Sequence, residues 1–134
     1  MTWNSAHVTQ FIAANVATVS SFASDPRNLP LWAAGLSSGI RRDGTRWVTD
    51  SPMGEVEVTF VGPVELGILD HDVTLPDGSV VRNPMRVLQN DDGSEVVFTV
   101  FQLDGTSDAD FEHDVALVRA DLGRLRDTLA RDKG

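Results

Sequence analysis

The 134-residue sequence contains no cysteine, and this absence removes several kinds of chemistry at once. Disulfides, thiolate nucleophiles and zinc sites built on cysteine are excluded, and a cytoplasmic location fits a chain of this kind. Basic residues are also scarce: 11 Lys and Arg stand against 20 Asp and Glu, which gives a net charge of −9. Nucleic acids and anionic membrane surfaces require basic patches, so we expect neither as a partner.

Long apolar runs and catalytic signature motifs are absent as well. No stretch approaches the roughly 18 apolar residues of a membrane span, and the opening MTWNSAHVTQF lacks the features of a secretory signal. Neither a Gly-x-Ser-x-Gly elbow nor a glycine-rich phosphate loop is found. Since no repeat or linker divides the chain, we expect one domain over residues 1–134.

The first third of the chain predicts one strand followed by two short helices. We expect the strand at 7–14 and a helix at 16–24, which Asp25-Pro26 stops because a residue before proline avoids helical angles. A second short helix is expected at 28–36. The residues of this helix that are available for burial are Leu29, Leu31, Trp32 and Leu36.

The middle and end of the chain predict a strand meander and then one long helix. Turn residues such as Pro76-Asp77-Gly78 separate strands expected at 38–42, 46–50, 55–61, 67–75, 80–88 and 95–103. Ser107 is the candidate N-cap of the helix. Its apolar stripe, at steps of four and three, consists of Phe111, Val115, Val118, Leu122, Leu125 and Leu129. The fold class is therefore α+β: a curved antiparallel sheet of about seven strands around a long C-terminal helix, with two short helices after the first strand.

This order of elements resembles the START-like superfamily, also called SRPBCC or the polyketide cyclase/dehydrase and lipid-transport superfamily. The residues that carry the resemblance are Ile12-Ala13-Ala14, Val19, Phe22, Asp25-Pro26-Arg27-Asn28 and Trp32, and DHDVTLPDG with NPMRV resembles a bacterial branch. The resemblance covers essentially the whole chain and implies the helix-grip fold. It also implies a cavity between the concave face of the sheet and the long helix. Many members have Ala-Pro-x-Glu before the first helix, whereas this chain has Ala14-Asn15-Val16-Ala17.

Strand alternation predicts which residues line such a cavity. The turn at 76–78 places His71 opposite Asn83, and the turn at 90–93 places Met85 opposite Phe98. Trp32 follows the second proline and either covers the cavity mouth or plugs the core. The predicted ligand-binding residues are Trp32, Leu69, His71, Val73, Val81, Asn83, Met85, Phe98, Val100, Phe111, Val115, Val118 and Leu122.

Polar groups are few in this set, and they define the functional alternatives. The first is binding of a small hydrophobic or aromatic molecule, oriented by His71 and Asn83. The second is an enzyme of the cyclase, aromatase or dehydratase type that uses His71 as general acid/base. The third is a co-chaperone-like interaction domain with a filled cavity.

The residues beside His71 and the outward face of the last strand bear on metal ions and on further partners. Asp70 and Asp72 flank His71 but point to the opposite face, where we expect solvent, and adjacent strand residues do not readily share one ion. We therefore predict neither a metal nor a cofactor. The outward face of the last strand, namely Val97, Thr99, Phe101 and Leu103, is apolar for a surface. It favours either a homodimer contact or coverage by other segments.

Overall fold

The computed structural model describes residues 1–36, 39–52 and 54–133. These residues form eight strands and three α-helices, joined in places by single 3₁₀ turns. The elements are β1 Ser5–Ile12, α1 Val16–Ala23, α2 Leu29–Trp32, β2 Arg41–Asp43, β3 Arg46–Ser51, β4 Gly54–Phe60, β5 His71–Thr74, β6 Val80–Asn83, β7 Met85–Asn90, β8 Gly93–Phe101 and α3 Asp108–Lys133.

Side-chain caps start α1 and the 3₁₀ turn that follows it. Asn15 accepts a hydrogen bond of 2.8 Å from the backbone N–H of Thr18, which starts α1 at the next residue. Asp25 accepts one of 3.0 Å from the N–H of Arg27, so the chain turns at the predicted stop.

The second helix differs from its prediction. Instead of a helix over 28–36, α2 has only 4 residues, and 3₁₀ turns flank it on both sides. Leu29 and Trp32 are buried as expected, but Leu31 is 55% exposed because so short a helix has only one face against the core. The side chain at position 36 lies outside the part of the chain that the structure describes.

The strands form two sheets, and the prediction of a single sheet of about seven strands is wrong. One sheet has three strands in the order β1-β8-β7, and the other has five in the order β2-β3-β4-β5-β6. The predicted strand at 80–88 is interrupted at Pro84, which separates β6 from β7. Proline has no N–H to donate and therefore breaks a ladder of hydrogen bonds.

The segment before β5 joins the two sheets. The N–H of Leu69 donates to the carbonyl of Met85 at 2.8 Å, and the N–H of Val87 donates to the carbonyl of Gly67 at 2.8 Å. An isolated antiparallel bridge pairs Ile68 with Arg86 between these bonds. The predicted run at 67–75 is thus divided between a short bridge to the three-stranded sheet and β5 of the other sheet.

The pairing registers behind the predicted cavity face are confirmed. His71 pairs with Asn83 and Val73 with Val81 across β5 and β6. Met85 pairs with Phe98 across β7 and β8. The predicted strand at 38–42 is observed at Arg41–Asp43, and positions 37 and 38 lie outside the described residues.

The long helix α3 packs its apolar stripe against the sheets. The side-chain oxygen of Ser107 accepts a hydrogen bond of 3.1 Å from the N–H of Asp110, which confirms the predicted cap. Leu122, Leu125 and Leu129 are buried in the hydrophobic core. The first half of the stripe is only half-buried, at Phe111, Val115 and Val118. None of the described helices has both the length and the apolar character needed to cross a membrane.

Candidate functional site

An apolar cavity, here called the inner cavity, lies between α2, the five-stranded sheet and α3. Its volume is about 220 Å³. Leu29 and Trp32 of α2 form one side, and Val58 and Val73 form part of the sheet side. Four of the lining residues have polar or titratable side chains, namely Trp32, His71, Asn83 and Asp121.

His71 enters the inner cavity from the first position of β5. Its side chain is only 8% exposed, and its ring packs between Phe60 and Phe98 at centroid distances of 5.2 and 5.7 Å. Nδ1 lies 3.0 Å from the carbonyl oxygen of Leu69. Because a carbonyl only accepts, Nδ1 carries the proton and donates it, and the lone pair of the neutral ring lies on Nε2.

The environment of His71 also sets its charge. Burial lowers the pKa of the imidazole below its ordinary value, and this effect exceeds the opposing hydrogen bond to Leu69 and the nearby Asp70 and Asp72 carboxylates. The ring is therefore neutral at pH 7. A neutral imidazole with Nδ1 already engaged offers Nε2 as a hydrogen-bond acceptor.

Trp32 ends α2 and is 3% exposed. Its carbonyl oxygen accepts a hydrogen bond of 3.2 Å from Nε of Arg124, which ties α2 to α3. Its own indole Nε1 is buried and has no hydrogen-bond partner among the described residues. Most buried polar groups in folded proteins are paired, so this donor is unusual.

Asp121 is a lining residue that the sequence interpretation missed. It accepts a hydrogen bond of 3.2 Å from the backbone N–H of Ala34 and a second one from Arg124. Burial raises the pKa of its carboxyl above the ordinary value, against the effect of these donors. Asp121 follows Val118 by three residues and precedes Leu125 by four, so helical spacing alone places it on the buried face of α3.

A second depression, here called the outer groove, lies beside the inner cavity. It has a volume of about 370 Å³ and shares Asn83 and Phe98 with the inner cavity. Val81, Val100 and Val118 also line it, as does the exposed Leu117. Asn83 therefore borders both spaces.

The predicted site residues divide into three groups. Eight border the inner cavity or the outer groove, namely Trp32, His71, Val73, Val81, Asn83, Phe98, Val100 and Val118. Leu69, Met85 and Leu122 are fully buried in the hydrophobic core and line neither space. Phe111 and Val115 pack against that core without lining either one.

The carboxylates beside His71 point away from the cavity, as strand alternation predicts, but they form ion pairs. Asp70 accepts two hydrogen bonds of 3.0 Å from the guanidinium of Arg86 and one of 3.0 Å from the N–H of Met85. Asp72 binds the guanidinium of Arg82. Both carboxyl groups have a pKa below the ordinary value, chiefly because of these arginines. Among the residues that the structure describes, no cluster of His, Asp and Glu suits a metal ion.

Comparisons with known proteins identify the fold. No family model matches the chain, and no curated protein matches it in sequence. The solution structure of the Aha1 dimer from Colwellia psychrerythraea is similar over 98% of this chain and 99% of that one, with 17% identity and a TM-score of 0.71. KanY is similar over 97% and 99%, with 18% identity and a TM-score of 0.68.

A third similar structure is DynU16, a protein of the dynemicin biosynthetic locus. The match covers 94% of this chain at 19% identity and a TM-score of 0.68. The chain spans about half the length of DynU16, 47% of it. At these identities the likeness concerns the fold, and together with the observed sheets and long C-terminal helix it identifies a helix-grip arrangement.

Proposed function

We propose that the chain is a member of the START-like superfamily and binds a small hydrophobic or aromatic molecule in the inner cavity. The observation that carries this proposal is the cavity itself, apolar over most of its lining and bordered by a few convergent polar groups. Small-molecule sites have this composition. The proposal includes a cytoplasmic location, which is consistent with the lack of cysteine.

A thermal-shift screen against fatty acids, flavonoids, polyketide-like aromatics and isoprenoids tests the proposal. A ligand present at about 100 times its Kd adds about 2.7 kcal/mol of stability and raises Tm. We expect Val73→Phe, which fills the inner cavity, to abolish the shift. The matched control is Val80→Phe, at a side chain that is 56% exposed. Shifts that survive Val73→Phe, or no shift with any class, would contradict the proposal.

A second candidate function is catalysis of the cyclase, aromatase or dehydratase type. The supporting observation is that the neutral imidazole of His71 and the carboxyl of Asp121 line the same cavity. In this hypothesis His71 is the general base, and its Nε2 takes a proton from the bound substrate. We expect His71→Ala to abolish turnover of a bound compound while leaving most of its binding. Unchanged turnover in that variant would exclude this role.

The apolar outward face of β8 supports a further proposal, a homodimer. Phe101 packs on Trp3 with ring centroids 5.9 Å apart, and Trp3 remains 51% exposed. The similar Aha1 structure is a dimer. We expect light scattering to give a dimer mass that Phe101→Asp reduces to a monomer. Leu66→Asp, at an exposed leucine outside β8, should leave the mass unchanged. A co-chaperone-like role would require this face rather than the cavity.

A further inference from the structure

We infer that the ligand of the inner cavity is an uncharged ring compound with a hydroxyl group, of the phenol or hydroaromatic alcohol class. The inference rests on the proposed binding function and adds to it the charge and the polar group of the ligand. It depends on three observations: an unpaired donor, a free acceptor and the charges of the lining.

The unpaired donor is the indole N–H of Trp32. A buried N–H without a partner is unfavourable, and a hydrogen-bond acceptor on the ligand would remove that cost. Trp32 is 3% exposed and lines the inner cavity, and its Nε1 is unpaired within the described residues. A pure hydrocarbon would fill the space but would leave this donor unpaired.

The free acceptor is Nε2 of His71. The other ring nitrogen, Nδ1, donates its proton to the carbonyl of Leu69, so this hydrogen bond determines the tautomer. No described side chain or backbone group donates to Nε2, and His71 lines the same cavity as Trp32. The lining residues therefore include one unpaired donor and one free acceptor. A hydroxyl group supplies both complements, because its oxygen accepts and its proton is donated.

The charges of the lining disfavour the common alternative of a carboxylate ligand. No described residue that lines the inner cavity is Arg or Lys, and the one carboxyl group there belongs to Asp121. Arg124 lies nearby, but it is already bound to Asp121 and to the carbonyl of Trp32. A buried carboxylate would therefore lack a counter-ion.

A cationic ligand is also disfavoured. Asp121 already accepts hydrogen bonds from Ala34 and Arg124, so its charge is compensated. An ammonium group has no acceptor for the N–H of Trp32. The volume of about 220 Å³ lies below the range of about 300–1,000 Å³ for drug-sized ligands, which indicates a ligand of one or two rings.

Four probes on one ring frame test the inference: 2-naphthol, naphthalene, 2-naphthoate and (2-naphthyl)methylammonium. Each is titrated into ¹⁵N-labelled protein at pH 7, and the indole N–H signals of Trp3, Trp32 and Trp47 are followed. The variants Trp3→Phe, Trp32→Phe and Trp47→Phe assign the three signals. We expect 2-naphthol to bind at least about tenfold more tightly than the other three, because only a neutral hydroxyl group complements both the donor and the acceptor.

The NMR signal separates a specific hydrogen bond from mere occupation of the cavity. With 2-naphthol the indole proton of Trp32 should move downfield, whereas naphthalene should not produce this downfield shift. Trp32→Phe keeps an aromatic ring but loses the N–H, and it should reduce the preference for 2-naphthol over naphthalene at least about threefold. Trp47→Phe is the matched control and should leave the preference unchanged. If Trp32→Phe fails to fold, the downfield shift in the unaltered protein still decides the question.

Two outcomes would overturn the inference, and they differ in what they say of the proposed function. If naphthalene or either ion binds as tightly as 2-naphthol, the cavity binds ligands but the hydroxyl assignment is wrong. A Trp32 signal that does not move on binding of 2-naphthol leads to the same conclusion. If none of the four probes binds but a compound of the thermal-shift screen does, the inference fails and the proposed binding function stands; if no compound of either set binds, both fail.

Discussion

The burial of His71 links the candidate site to the stability of the protein. Burial lowers the pKa of this imidazole, so below about pH 6.5 the unfolded chain binds a proton that the folded chain does not. The free energy of unfolding should therefore decrease as pH falls from about 6.5 towards the folded pKa. One group contributes a slope of at most about 1.4 kcal/mol per pH unit.

The first prediction is that His71→Gln removes this slope. Urea unfolding at intervals between about pH 5.5 and 7 should show the decrease in the unaltered protein and a flatter profile in the variant. His113→Gln, at an exposed histidine of α3, is the control and should keep the slope. An equal slope in all three proteins would mean that the imidazole of His71 is not protected from protonation.

Four carboxyl groups affect other parts of the dependence of stability on pH. Ion pairs and hydrogen bonds lower the pKa of Asp25, Asp70 and Asp72, so the stability from these groups is present above about pH 4 and is lost only as pH falls through their lower folded values. Asp121 has the opposite sign. Burial raises its pKa, so its contribution is lost as pH rises through the folded value. The variant Asp121→Asn would isolate this effect.

Sequence reasoning found part of the site because strands and helices encode burial differently. Strict alternation and one short turn were enough to place His71 opposite Asn83. Asp121 was missed because the stripe on the last helix was defined by apolar residues alone, although helical spacing puts position 121 on the same face. The free indole of Trp32 depends on tertiary packing, which no local pattern of residues encodes.

At the scale of elements, the junction between the two sheets depends on a glycine. Gly67 ends a 3₁₀ turn with φ of 78°, a left-handed conformation. An added Cβ would lie 2.4 Å from the carbonyl oxygen of Val87, whose own N–H donates to the carbonyl of Gly67. This backbone contact belongs to the segment that joins β5 to the three-stranded sheet, so neither residue can move without disturbing the junction.

The second prediction is that Gly67→Ala destabilises the protein by about 3 kcal/mol or more, because backbone strain and a steric clash add. Gly78→Ala is the matched control: φ there is 87°, but an added Cβ meets no atom of the described residues within 4 Å. It should cost only about 1–2 kcal/mol. Urea midpoints compare the two variants. Equal losses would show that the contact with Val87 relaxes without cost.

The elements also show which parts of the fold could be predicted. The order of strands and helices followed from turn residues and from the apolar stripe, and most elements lie within a few residues of their expected bounds. The division into two sheets was signalled by Pro84, because a proline within a central strand interrupts pairing. The prediction extended a single strand across that residue. Beyond Pro84, the segment before β5 pairs with β7 only through the isolated bridge between Ile68 and Arg86. Sequence alone does not reveal that this pairing is so short.

At the scale of the whole molecule, the core does not follow the division into two sheets. One hydrophobic cluster contains Val58 of the five-stranded sheet, Val8 and Val96 of the three-stranded sheet, and Leu122 of α3. Residues in one packed cluster share the free energy of that packing, so loss of one sheet would expose apolar surface of the other. We therefore propose that residues 1–134 behave as a single domain.

The third prediction is that the protein unfolds in one cooperative thermal transition. Calorimetry should give a van 't Hoff enthalpy equal to the calorimetric enthalpy, about 90 kcal/mol for a chain of this length. Val58→Ala and Val96→Ala remove methyl groups from different sheets at the same core. Each should lower the free energy of unfolding by about 2 kcal/mol and shift the whole transition to a lower Tm. Separate transitions, or a variant that shifts only part of the heat absorption, would show that the two sheets unfold independently and that Pro84 marks a boundary between them.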